Sequence, residues 1–122
     1  MSITDPLFLA FLEVQRADYR RALPQRVAQI ELLWHQVLNG DSSADVLATL
    51  QRCAHSLAGS GATFGFAGMG SAARELELTV NPLLDTACAL TAGAQSEIDL
   101  AIELLKRSLP GDAGNPGVQP QA

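Results

Sequence analysis

Basic side chains are scarce in this sequence: eight Lys and Arg stand against thirteen Asp and Glu, a net charge of -5. That balance repels phosphate backbones and anionic bilayers, so nucleic acid and membrane surfaces are excluded as main partners. Aromatics number only six, and the 48% hydrophobic content is mainly Leu and Ala, a composition that suits helices far better than strands. Cys53 and Cys88 are widely separated and neither has a CxxC companion, so each reads as a small buried hydrophobe, with no metal or redox motif. No apolar run reaches transmembrane length without charge. The start, Met1-Ser2-Ile3-Thr4-Asp5-Pro6, lacks the basic and apolar regions of a signal peptide, and a cytoplasmic location is expected. The 122 residues suffice for one domain with a modest core.

What is present is helical periodicity broken by Pro and Gly. Thr4-Asp5-Pro6 caps a first helix carrying Leu7, Phe8, Phe11, Leu12, Val14 and Tyr19 on one broad face. Pro24 either begins a new helix or kinks a long one. Beyond it Val27, Ile30, Leu33, Trp34, Val37 and Leu38 repeat at threes and fours until the stop Asn39-Gly40. Ser42 and Asp45 are spaced as a capping box and open a helix through Val46, Leu47, Leu50, Ala54 and Leu57, which Gly59, Gly61 and Gly65 should end. A further helix begins near Phe66 or Ala67, with Met69, Ala72, Ala73, Leu76 and Val80 on its apolar side, and Asn81-Pro82 should interrupt it. Residues 82 to 95 are ambiguous. A last helix from about Ser96 to Leu109 buries Ile98, Ala101, Ile102, Leu105 and Leu109 and ends in Lys106 and Arg107, where the helix dipole favours cations. Residues 110 to 122, rich in Pro and Gly, read as a disordered tail or linker after a helical domain spanning 1 to 109. Amphipathic helices on short loops bury their stripes together as an antiparallel bundle. The expected fold is all-α: an antiparallel four-helix bundle with an additional N-terminal helix.

The chemistry centres on His55. At about 100° per residue, the stripe of Leu47, Leu50, Ala54, Leu57 and Gly61 sets the inward direction of its helix, and His55 falls roughly 120° away, facing solvent. Its flank is Ala48, Gln51, Arg52, Ala58, Gly59 and Ala62, a shallow surface of small groups with one cation beside it. An exposed imidazole is a nucleophile toward phosphorus, and small neighbours admit a partner's backbone and a phosphoryl group. The other histidine, His35, has no Cys, Asp or His one turn away, so no metal site is expected. No P-loop or dinucleotide-type glycine motif is present, because the glycines of 59 to 65 follow a helix and lack the Lys and hydroxyl pair.

The run His55-Ser56-Leu57-Ala58-Gly59, with Gly65 six residues on and Glu77 on the following helix, resembles the histidine phosphotransfer (HPt) domain and its His-x-Leu-Lys-Gly motif. It is most similar to the HPt domain that begins chemotaxis-type histidine kinases, in which Ala-His-Ser and Thr-Phe-Gly-Phe recur at the same offsets. The likeness covers about residues 5 to 109, its specific part being 53 to 77. The motif's lysine is Ala58 here.

The resemblance implies a phosphorelay carrier without a nucleotide site or cofactor of its own. His55 would exchange a phosphoryl group with the aspartate of a response-regulator receiver or accept it from a sensor histidine kinase, Mg²⁺ coming with the receiver. Nε2 would attack while Glu77, at the matching family position, holds the proton on Nδ1. Arg52, one turn before His55, and Arg74 are candidate phosphoryl or receiver contacts, with Ala58, Gly59 and Ala62 as the docking skirt. Loss of the lysine should weaken the phosphorylated state or slow transfer. It also leaves open a degenerate module that binds receiver or kinase domains without phosphotransfer. A third alternative is a plain scaffolding bundle with His55 an incidental surface residue.

Overall fold

Leu23, Val27, Ile30, Leu33, Trp34 and Val37 keep to one face over four turns, and that stripe organises the core. The structure, a computed structural model, describes residues 5–40, 44–85 and 90–110. It consists of α1 (Pro6–Leu38), α2 (Ala44–Thr63), α3 (Ala67–Asp85) and α4 (Ala92–Arg107). These are the four helices of the expected all-α bundle, with α2 and α3 the most extensively packed pair. The core joins the α1 stripe to Leu50, Ala54 and Leu57 of α2, Met69, Ala73, Leu76 and Val80 of α3, and Ile98, Ile102 and Leu105 of α4. Trp34 Nε1 donates to Asp99 Oδ1 at 2.6 Å, and Lys106 Nζ to Glu31 Oε2 at 3.0 Å, so two polar links tie α1 to α4.

Several boundaries differ from the sequence reading. The additional N-terminal helix is not a separate element: α1 is one helix of 33 residues that passes through Pro24. Pro24 is exposed, so its ring sits on the outer side of the helix and the core stripe on the other side runs on undisturbed. Pro82 is likewise exposed inside α3, which continues to Asp85 because Val80 and Leu83 bury on either side of it. Gly59 and Gly61 do not end α2. It closes at Thr63 with the Phe66 N–H donating to Gly61 O and the Gly65 N–H to Ala62 O, a Schellman turn in which Gly65 takes a φ of +85°. α4 starts at Ala92, capped by the Thr91 hydroxyl, four residues before the expected Ser96, and stops at Arg107. Asp5 caps α1 by accepting the Leu7 N–H at 2.8 Å. The expected Ser42 cap, Cys88 and the tail 111–122 lie outside the described residues.

The first turns of α1 also depart from expectation. Leu7, Leu9, Phe11, Leu12 and Val14 are exposed, Leu7 at 80%. The cause is length: at 1.5 Å per residue α1 is about 50 Å long and α2 about 30 Å. Arg16 Nε already reaches Phe64 O, past the end of α2, at 3.0 Å, so residues before 16 overrun the bundle. Tyr19 anchors this end by stacking on Phe64, with ring centroids 4.5 Å apart, and by sharing a 2.6 Å hydrogen bond with Ser60 Oγ.

Candidate functional site

Where α2 and α3 cross, both helices carry glycine. A Cβ on Gly61 would stand 3.0 Å from Gly70 Cα and N, and one on Gly70 would stand 3.1 Å from Ala58 O. The two backbones are therefore in direct contact about two turns from His55, and residues further along the pair are brought within hydrogen-bond reach.

The pairing at that reach is His55 with Glu77. His55 projects from α2 with 70% of its side chain exposed, and its Nδ1 lies 2.7 Å from Glu77 Oε2 of α3. Glu77 is buried, at 8% exposure, and Gln51 Nε2 donates to the same Oε2 at 3.2 Å. Oε1 is buried and accepts from no group of the described residues. An ionised carboxylate can only accept, so this contact is a hydrogen bond donated by Nδ1–H, and in the neutral ring that makes it, Nε2 is the lone-pair nitrogen.

The ring borders a depression of about 400 Å³ formed with Ala58, Gly59, Ala62, Ala67, Gly70, Ser71, Arg74 and Glu77. Ala58, Gly59, Ala62, Arg74 and Glu77 were expected here from sequence, and the fold gathers them with His55. Arg52 is placed elsewhere: its Nη2 donates to Thr49 Oγ1 at 3.1 Å, and it lines a separate groove of about 270 Å³ with Arg26, Ile30, Cys53 and Ser56. Sequence reasoning placed Gln51 on the His55 flank without assigning it a partner, and it missed Gly70 and Ser71. The signal for Gln51 was its position one turn before His55, and for Gly70 the pairing of small residues on consecutive helices. No group of three or more metal-ligating side chains occurs among the described residues, and none of their helices is long and apolar enough to cross a membrane.

A family model, the Hpt domain, matches residues 15–108. The chain belongs to the Hpt domain family. No curated protein and no solved structure matches it. Hpt domains carry histidine phosphotransfer in phosphorelays, working with receiver domains and kinases. Within this Hpt domain the match begins close to Arg16 and Tyr19, the residues that anchor α1 to the α2–α3 turn, and leaves out the overrunning apolar turns.

Proposed function

We propose that this Hpt domain is a phosphorelay carrier whose phosphoacceptor is His55. The observation that supports it is a single arrangement: an imidazole 70% exposed and bonded through Nδ1 to a buried carboxylate, with Nε2 left as the nucleophile. Nε2 attacks the phosphorus of a receiver's aspartyl phosphate. An N–P bond forms, the O–P bond breaks, and the aspartate leaves as carboxylate. The proton stays on Nδ1 throughout, and Glu77 offsets the positive charge the ring gains as Nε2 bonds phosphorus. The reverse attack by a second receiver's aspartate returns the ring to its starting form. Gly59, Ala62 and Gly70 are small residues that leave room for the approach, and Arg74, which lines the same depression, supplies a cation for the incoming phosphoryl group. The receiver, not this chain, is expected to bring Mg²⁺.

Ala58 favours a second reading, since the lysine that would offset phosphoryl charge is absent: a module that binds receiver or kinase domains without taking phosphate. Incubation with a phosphorylated receiver, or with a sensor kinase and ATP, decides between them. The carrier acquires acid-labile, base-stable label that His55→Gln lacks; binding without label identifies the second.

A further inference from the structure

We infer that Gln51 is a positioning residue for His55, acting through Glu77. Gln51 and His55 lie four residues apart on the same flank of α2, so one carboxylate from α3 meets both. Both donors converge on Oε2, at 3.2 Å from Gln51 Nε2 and 2.7 Å from His55 Nδ1, while Oε1 has no partner among the described residues. A glutamate held by one donor pivots about that contact. A second donor fixes the plane of the carboxylate and with it the direction of the Nδ1–H bond. Gln51 suits the task because its amide is neutral. It restrains Glu77 without neutralising the negative charge, and the imidazole keeps the shorter of the two contacts, 2.7 Å against 3.2 Å. Neither arginine takes its place: Arg52 bonds Thr49, and Arg74 lines the depression on the exposed side.

The consequence for the ring is a tautomer bias. Neutral imidazole in water favours the proton on Nε2, which would block attack; Glu77, held by Gln51, shifts it to Nδ1. The consequence for transfer rate rests on the proposed role of His55, but the tautomer does not, so the two can fail separately.

The test is ¹⁵N NMR of the unphosphorylated protein with the imidazole neutral, the His55 signals being those missing in His55→Gln, alongside phosphotransfer from a phosphorylated receiver. Gln51→Met keeps the side-chain length and removes the donor. It should move His55 from predominantly Nδ1–H to a mixture rich in Nε2–H and slow transfer roughly three- to tenfold, the span of one hydrogen bond. Gln51→Asn, whose amide falls one methylene short, should do the same if Met perturbs folding. Glu77→Ala, which removes the acceptor altogether, sets the scale for complete loss of the anchor. An unchanged tautomer in folded Gln51→Met or Gln51→Asn, while Glu77→Ala shifts it, overturns the inference. If the wild type takes no label, the carrier reading falls alone and the tautomer still decides the role of Gln51.

Discussion

In the proposed carrier the two nitrogens of His55 divide the labour: Nδ1 contacts Glu77, and Nε2 is the atom proposed to take the phosphoryl group. Glu77 serves Nδ1, so Glu77→Ala should leave His55 exposed but slow phosphotransfer by about 10- to 100-fold, the usual penalty for losing an orienting partner. Its effect on stability should be small, because the variant also removes a buried oxygen without a hydrogen bond. Urea unfolding beside a transfer assay separates the two effects. Arg74 and Arg52 are both cations near the histidine in sequence or space, but only Arg74 lines the depression. Arg74→Ala is therefore expected to slow transfer about threefold or more and Arg52→Ala little, the energy at issue being that of one charge-assisted contact. Equal effects would mean that the phosphoryl group lies toward the α1–α2 groove. From sequence alone the placement of His55, Glu77 and the small-residue skirt was legible, since His55 and the skirt follow from helical phase and Glu77 from the family motif. The turn of Arg52 toward Thr49 was not legible, because a long side chain on an exposed flank has several partners within reach and only the packed surface selects one.

At the scale of elements, the separation of α2 and α3 governs the site. Gly61→Ala or Gly70→Ala would force the backbones apart, costing about 1–3 kcal/mol and lengthening the His55–Glu77 bond. Thermal melts with His55 ¹⁵N spectra would show lower stability together with a weakened Nδ1–H preference. Pro24 acts in the opposite sense. It sits exposed within a continuous helix, so Pro24→Ala restores a backbone hydrogen bond and should raise stability by about 1–3 kcal/mol with transfer unchanged, as a melt would record. The link between α1 and α4 has a pH signature. The hydrogen bond and charge of Glu31, with a smaller contribution from Glu103, raise the Lys106 pKa above 10.5. A folded-state value above the unfolded one means that the contribution is fully present below pH 10.5 and is lost as pH rises through the folded value. The difference in melting temperature between wild type and Glu31→Gln should therefore be flat through neutral pH and shrink only in strong alkali. Helix boundaries were the least legible part of the fold: Pro24 was read as a break or a kink and Pro82, Gly59 and Gly61 as breakers, yet all four lie inside helices whose buried neighbours, Leu23, Leu57, Val80 and Leu83, carry the core stripe past them.

At the scale of the molecule, the bundle and its overrun are separable. None of residues 6–14 is buried, the core begins at Leu23, and the family match begins at residue 15. Deletion of residues 1–14 should leave cooperative unfolding and the His55–Glu77 bond in place and lower the melting temperature only slightly; loss of the fold would assign those turns to the core. Composition and periodicity were enough to determine an all-α bundle with His55 on its surface, because burial of a helix stripe depends on residues three and four positions apart. Only the tertiary structure decided that α1 is a single helix, that Gly61 and Gly70 touch, and that Gln51 and His55 share one oxygen of Glu77. These are relations between residues as many as 26 positions apart in sequence, and close packing between helices, not any local preference, sets the distance across them.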